Sequence, residues 1–458
     1  MLLTLAIHGD PQAQVFIYPD YPGGAPELAA SILASKLDTY HAFNTTYPGY
    51  GGFLPDFEAN HTAIRAAYGW EGRLSAADNG QLMWAIYGMI DVLDQSKRPE
   101  FQQLAASWAR WLDYARENAK GIFMRGPRDG DICAISTVQP GIYTYATSHE
   151  YRCEKNDCFN NDPFEGELMT WFLYFSSMLN ATEADLLWDR KRSQLQATNY
   201  TGSIVDTSKY QLGSQNYYGD QIVGRHITPI TVQRGLYFSS NENIKLLYMP
   251  YLDIPIANRV FKNAERVRTC NSVLMSNTAG MFASSPNGTS PSADAGSGST
   301  TLAYQYIDNA GIPSAAVFEE QELDMITPMA VFPTILFDRG AGLAWYKNTL
   351  DGKQMQTVYG STAATRRDGS AIARFVSWES KAPTLLALIG RFADIVRAGM
   401  KRDNIYDEFF RIVEREYGAV FDEGMGAPPL KGEGVPFCLP NAKVPMSSLI
   451  DFSSCQVG

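Results

Sequence analysis

The sequence predicts an all-α-dominated fold with a few short β-hairpins. Three observations carry this. Amphipathic helical patterns fill most of the readable chain, strands are few and local, and no βαβ alternation appears that would build a parallel sheet. With 458 residues, 45% of them hydrophobic and 12% aromatic, the chain can bury a large core without metal or disulfide support. Eight or more helices of similar kind lie on both sides of the one low-complexity stretch, 280–300. That stretch therefore reads as a flexible surface loop, and residues 1–458 as a single catalytic domain, a ring of helical hairpins.

Segment 77–95 places Leu82, Ala85, Ile86, Met89, Ile90 and Leu93 on one face, with Ser75 and Asp78 as a capping pair at its start. Segment 99–118 opens on Pro99 in its first turn and repeats the pattern through Phe101, Leu104, Trp108 and Leu112. Segment 163–180 differs, because Leu168, Met169, Trp171, Phe172, Leu173 and Phe175 cover nearly every face, as in a helix buried on all sides. Further helices are expected at 26–40, 182–196, 302–309, 321–336, 383–399 and 403–417. One hairpin is expected over 354–379, turning at Asp368-Gly369, and another near 120–146.

Composition removes several function classes. The net charge is −11 and no Lys/Arg cluster stands out, so nucleic acid is not an expected partner. No apolar run reaches the ~18 residues of a membrane span. The six cysteines, Cys133, Cys153, Cys158, Cys270, Cys438 and Cys455, are compatible with three disulfides and 15 connectivities. They show no CxxC spacing, and the five histidines are scattered, so no metal site is expected. Five N-x-S/T sequons, at Asn44, Asn60, Asn180, Asn199 and Asn287, agree with the cysteines in pointing to a secreted, glycosylated protein. The start, Met1 to Ile7, is too short and uncharged for a complete signal peptide and reads as a remnant of one or a truncated start.

No Walker A, strand-linked GxGxxG, GxSxG or HExxH occurs, which leaves carboxylates to carry chemistry. Glycoside hydrolysis needs two, one protonated to assist the leaving oxygen and one ionised to activate water or attack. Glu165 and Glu167 open the most apolar helix of the chain, where desolvation raises a carboxyl pKa. Residues i and i+2 do not share a helix face, so Glu167, deeper in the apolar run, is the expected general acid. The competing reading is that both only complement the helix N-terminus. For the base, Glu379 beside Trp378 and Asp368 in its turn are the candidates. Asp78, with a rival role as a cap, and Glu242, with a rival reading as a solvated helix end, are weaker ones. Trp70, Trp84, Tyr87, Trp171, Tyr217, Tyr218, Tyr304, Tyr306, Trp345 and Trp378 supply apolar faces suited to pyranose rings, with core packing as the alternative for each.

Several pieces, in order, resemble the clan of β-1,2-glucan-active glycoside hydrolases, which includes bacterial and fungal endo-β-1,2-glucanases and the glycoamylase-like domains attached to cyclic glucan synthases. Leu74 to Trp84 is similar to its early Asp-x-Gly helix start. Phe164 to Trp171 is similar to its helix with a Glu-x-Met acid, placed here at Glu167. Leu236 to Ser240 with Leu246 to Leu252, then Tyr304 to Tyr306 with Gly311-Ile312-Pro313 and Thr327-Pro328, follow its Phe-Ser-Ser and Gly-x-Pro segments. Glu379 to Ile389 resembles the stretch where bacterial members carry Asp-Gln-Gly-Pro, although the carboxylate here is Glu and one residue out of register with the proline.

The resemblance covers roughly residues 50–400. It implies an (α/α)6 toroid and inverting hydrolysis of β-1,2-glucan to short oligosaccharides. It also implies an acid acting through a substrate hydroxyl and a base acting through a relayed water. Glu167 would then be the acid and Glu379 or Asp368 the base, with Asp78, Glu165, Trp84, Trp171, Tyr304, Tyr306 and Trp378 holding a β-glucan substrate. No metal or organic cofactor is required. A retaining transglycosylase, a hydrolase of another linkage and a non-catalytic glycan-binding toroid are the alternatives.

Overall fold

The computed structural model describes residues 1–18, 20–59, 63–126, 128–141, 152–153, 159–160, 164, 166–203, 229–235, 240–274, 280–281, 285–287, 305–307, 325–353, 356–357, 360–361, 365–366, 381–390, 392–425 and 430–440. The described chain is mostly helical and divides into two compact units. One comprises residues 1–194, 248–250 and 391–412, the other 195–247, 251–390 and 413–458.

The first unit begins with α1 (Leu2–His8), α2 (Pro11–Ile17) and α3 (Ala25–Thr46), followed by α4 (Ala76–Asp94), α5 (Pro99–Phe123), α6 (Glu167–Tyr174) and most of α7 (Ala181–Thr198). The segment read as a leader remnant is therefore helix α1, with Leu5 and Ala6 completely buried. Helix α4 is the hub and packs on α1, α5 and α6. It starts where predicted because the Ser75 hydroxyl accepts the Asp78 N–H at 3.3 Å, satisfying one of the orphan donors of a helix start. Gly80 sits one turn on. A Cβ there would lie 2.6 Å from the Met169 backbone nitrogen, so glycine is what lets α6 approach α4. The expected strand near 120–146 is present at Ile135–Thr137. Its partners are Arg73–Ser75 and Arg152–Cys153, not a local hairpin arm, because α5 occupies residues through Phe123.

The second unit holds α8 (Lys245–Tyr248), α9 (Pro255–Leu274), α10 (Phe332–Phe337), α11 (Arg339–Lys353) and α12 (Ala382–Ile389). One of these, α9, is a long helix absent from the expectations. The paired strands Asn199–Ser203 and Pro229–Gln233 pack on α9, and α10 packs on α11 and α12. Asn263 of α9 donates to the carbonyls of Thr231 and Lys431 at 2.9 and 2.8 Å, pinning the strand pair and the C-terminal segment at once. The chain then continues as α13 (Phe392–Arg402), which joins the first unit and packs on α4, and α14 (Tyr406–Phe421).

Three expectations are corrected here. Residues 383–399 are two helices, because Gly390 adopts φ 72° and ends α12. Residues 305–307, within an expected helix, pair with 285–287 as strands. Residues 321–336 contain the strand Met325–Ile326 ahead of the 3-10 turn Pro328–Val331 and α10. Of the expected hairpin, Gln356–Thr357 pairs with Gly360–Ser361 and Thr365–Arg366 pairs with Met325–Ile326; its Asp368-Gly369 turn lies outside the described residues. Within 280–300, residues 280–281 and 285–287 are described, the latter as a strand.

Two disulfides are formed, Cys133–Cys153 and Cys270–Cys438. The second closes 168 residues, a loop long enough for a cross-link to stabilise by about 2–5 kcal/mol. Cys158 and Cys455 lie outside the described residues. No helix among the described residues is long and apolar enough to cross a membrane.

Candidate active site

The Asp78-Asn79-Gly80 turn divides its work among three residues. Asn79 is buried and clamps the preceding loop: its Oδ1 accepts the Leu54 N–H at 3.0 Å, and its Nδ2 donates to the Leu54 and Ser75 carbonyls at 2.9 Å each. Gly80 admits α6. Asp78 alone keeps its side chain open to solvent, yet protein mass surrounds it. Desolvation pushes its carboxyl above the ordinary carboxylate range, against a hydrogen bond with the Ser75 hydroxyl and with added repulsion from Asp56.

The folded protein thus holds this proton more tightly than the unfolded chain. Stability from Asp78 is full below the unfolded pKa, ~4, and is lost as pH rises through the higher folded value. Asp78→Asn should remove that loss. Urea denaturation of the variant and wild type should agree near pH 3 and diverge in the variant's favour towards pH 7, by a small amount because the carboxyl meets solvent. A difference independent of pH would refute the assignment.

Glu167 is the first residue of α6 and is 3% exposed. Its neighbours Leu168 and Met169 rest on Gly80, so the first turns of α4 and α6 lie against each other. The loop before it is tied down by Asn160 Nδ2, which donates to the Gly166 carbonyl at 3.1 Å.

Glu242, in the second unit, is not a solvated helix end. It is buried at 7% exposure in the 3-10 turn Asn241–Ile244. Its carboxyl lies directly on Gly235: a Cβ at that position would overlap its oxygens. Only glycine at 235 leaves room for the carboxyl there. The turn rests on a buried polar network. Asn243 Nδ2 donates to Glu265 Oε1 at 3.3 Å, Arg268 Nε to the same oxygen at 2.8 Å, and the Thr334 hydroxyl to Glu265 Oε2 at 2.8 Å. Burial pushes the Glu265 carboxyl up, with Arg268 and then Thr334 pulling it down. On the next turn the buried Lys245 ammonium donates to the Tyr417 hydroxyl at 2.9 Å and sits 4.3 and 4.7 Å from the Tyr251 and Phe261 ring centres, a cation–π cage. The chain signal that could have found this turn is the charged Glu242 and Lys245 set against the apolar run from Leu246 to Leu252.

The aromatic candidates divide. Trp171 is core. It is 1% exposed, with rings of Trp188, Phe409 and Phe175 centred 4.5, 4.8 and 5.6 Å away, which leaves no face for a sugar. Trp345 is core as well, and its indole N–H donates to the Cys438 carbonyl at 2.8 Å. Trp84 is 3% exposed. Its indole N–H donates to the Leu168 carbonyl at 2.9 Å, fastening α4 to α6, and its edge borders a cavity of about 170 Å³ with Tyr87 and Phe172. Glu165, Tyr304, Asp368, Trp378 and Glu379 lie outside the described residues; Tyr306 lies in a strand paired to Pro286. Among the described residues no cluster of metal-binding side chains occurs.

Comparison with known proteins completes the picture. The family model of endo-β-1,2-glucanase SGL (GH162) matches residues 1–456. The chain is similar to endo-β-1,2-glucanase from Talaromyces funiculosus, solved with sophorose, at 42% identity over 99% of this chain and 84% of that one, with a TM-score of 0.84. The same values of identity and TM-score hold for a glutamate-to-glutamine mutant of that enzyme solved with β-1,2-glucan, over 100% of this chain and 85% of that one. A β-1,2-glucanase from Parabacteroides distasonis shares the fold at 9% identity, with a TM-score of 0.55 over 91% of this chain and 53% of that one. No curated protein sequence matches. With a family model matched along nearly its whole length, the chain belongs to the endo-β-1,2-glucanase SGL family, GH162.

Proposed function

We propose that this glycoside hydrolase cleaves linear β-1,2-glucan internally to short oligosaccharides, with inversion at the anomeric carbon, on helices closed as an (α/α)6 toroid. The observation that carries the substrate is 42% identity along the whole chain to an enzyme whose structures hold sophorose and β-1,2-glucan. The chemistry is proton transfer around an oxocarbenium-like transition state. One carboxylic acid protonates the leaving oxygen, and one carboxylate activates water on the opposite face of the ring. Export is supported by the two disulfides, which persist in oxidising compartments.

For the acid, the reading shifts from Glu167 to Glu242. The Talaromyces enzyme was captured with β-1,2-glucan as a glutamate mutant. A glutamate mutant that holds the glucan supports a glutamate as the acid, and Glu167, Glu183 and Glu242 are weighed on this chain's own geometry. Glu183 is committed to Lys120 at 2.7 Å. Glu242 is buried, and Gly235 makes room for its carboxyl. Glu379 or Asp368 remains the proposed base.

The test is to incubate the purified protein with linear β-1,2-glucan, laminarin, cellulose oligomers and pustulan. Products are separated by chromatography, and the anomer is read at once by NMR. Short β-1,2-oligosaccharides from the first substrate alone, released as the α-anomer, are expected. Products from another glucan would overturn the substrate, and a β-anomer would overturn inversion.

A further inference from the structure

Of the sequons whose residues are all described, at Asn44, Asn180 and Asn199, we infer that Asn180 is the one the folded protein carries as an N-glycan, and that Asn199 stays bare. Asn180 precedes α7 and closes a reciprocal cap with its first turn. Its Oδ1 accepts the Glu183 N–H at 3.0 Å, and Glu183 Oε2 accepts the Asn180 N–H at 3.0 Å. With Oδ1 held to the helix, Nδ2 is directed away from it. Asn180 and Thr182 are both exposed. N-glycosylation consumes Nδ2 and leaves Oδ1, so the cap survives the modification.

The other described sequons are built differently. Asn199 is half-buried, its Nδ2 donates to the Val420 carbonyl at 3.2 Å, and its Oδ1 is sealed from solvent. Its partner residue Thr201 is engaged with the Thr231 hydroxyl at 2.8 Å. A glycan on Nδ2 would have to displace the Val420 contact and enter packed space. Asn44 lies half-buried inside α3, and its amide oxygen takes the Gly52 N–H at 3.2 Å, so a glycan there would have to leave across that turn. Asn60 lies outside the described residues, and of the third sequon residues Thr62 and Thr289 neither is described.

The donor is a lipid-linked oligosaccharyl diphosphate. The Asn180 Nδ2 forms a bond to C1 of its first N-acetylglucosamine, the bond from C1 to the diphosphate oxygen breaks, and the lipid diphosphate leaves with one amide proton released. No electrons change hands.

The inference is independent of the substrate and of native export, because the full chain can be led into the endoplasmic reticulum of a yeast host by a fused leader. Glycopeptide mass spectrometry on the protease-resistant, folded fraction reads each site, from culture medium or from microsomes. The Asn180 peptide is expected to be modified and the Asn199 peptide unmodified. Thr182→Ala keeps the Asn180 cap but removes the acceptor sequence, so it should lose that glycan and keep wild-type turnover. An unmodified Asn180 peptide in folded protein, a modified Asn199 peptide, or an unchanged glycan pattern in Thr182→Ala would each overturn the inference.

Discussion

Glu242→Gln is expected to lower kcat on linear β-1,2-glucan by about 10²–10⁴-fold, the usual worth of a positioned general acid. The substitution keeps the size and shape of the side chain that rests on Gly235 and removes only the transferable proton. Folding should therefore be retained and binding of β-1,2-oligosaccharides should change little, so the loss should fall on kcat rather than KM. Glu167→Gln is the control that decides between the two glutamates. It sits at the first turn of α6. If Glu167→Gln shows the large loss while Glu242→Gln keeps more than about a tenth of wild-type kcat, the sequence reading stands and the structural one falls.

The second large effect is on stability. Arg268→Ala should destabilise the protein by about 3–5 kcal/mol, because it strands a buried carboxylate without its partner. Arg268 and Glu265 are 1% and 0% exposed in their side chains, 2.8 Å apart. The double variant Glu265→Met with Arg268→Met should lose less than Arg268→Ala alone, since removing both charges together removes the desolvation cost with them. Urea unfolding followed by circular dichroism measures both. Equal losses in the single and double variants would mean that the pair contributes through packing only. Because Asn243 hangs on Glu265, Arg268→Ala should also lower kcat in the protein that remains folded.

Much of the fold was legible in the chain. Helices α3, α4, α5, α7 and α14 have strong apolar periodicity or clear caps, which are local signals. The long helix α9 was not, and the reason is specific. It does bury an apolar stripe, Ala257, Val260, Phe261, Ala264, Val267 and Cys270, but Asn263, Glu265, Arg268, Thr269, Asn271 and Ser272 are buried with it, and these polar residues mask the stripe in the chain. Their burial is tolerated because partners from other segments, such as Thr334 and the Thr231 and Lys431 carbonyls, satisfy them. No window of sequence contains those partners.

The same division runs through the site. Glycoside hydrolysis and the likeness to β-1,2-glucan-active enzymes could be read from residue types in order, because they depend on which groups are present. The fates of individual residues could not. Trp171 and Glu242 looked alike in reverse, a sugar platform and a solvated helix end, until packing buried the first among Trp188, Phe175 and Phe409 and laid the second on Gly235. Asp78, Asn79 and Gly80 are three consecutive residues of one motif, yet Asn79 and Gly80 serve the contacts of α4 with a distant loop and with α6, and only Asp78 faces solvent. Local sequence sets periodicity, caps and chemical repertoire. Burial, desolvation and close backbone approach arise from segments tens to hundreds of residues apart, and only the folded chain brings those together.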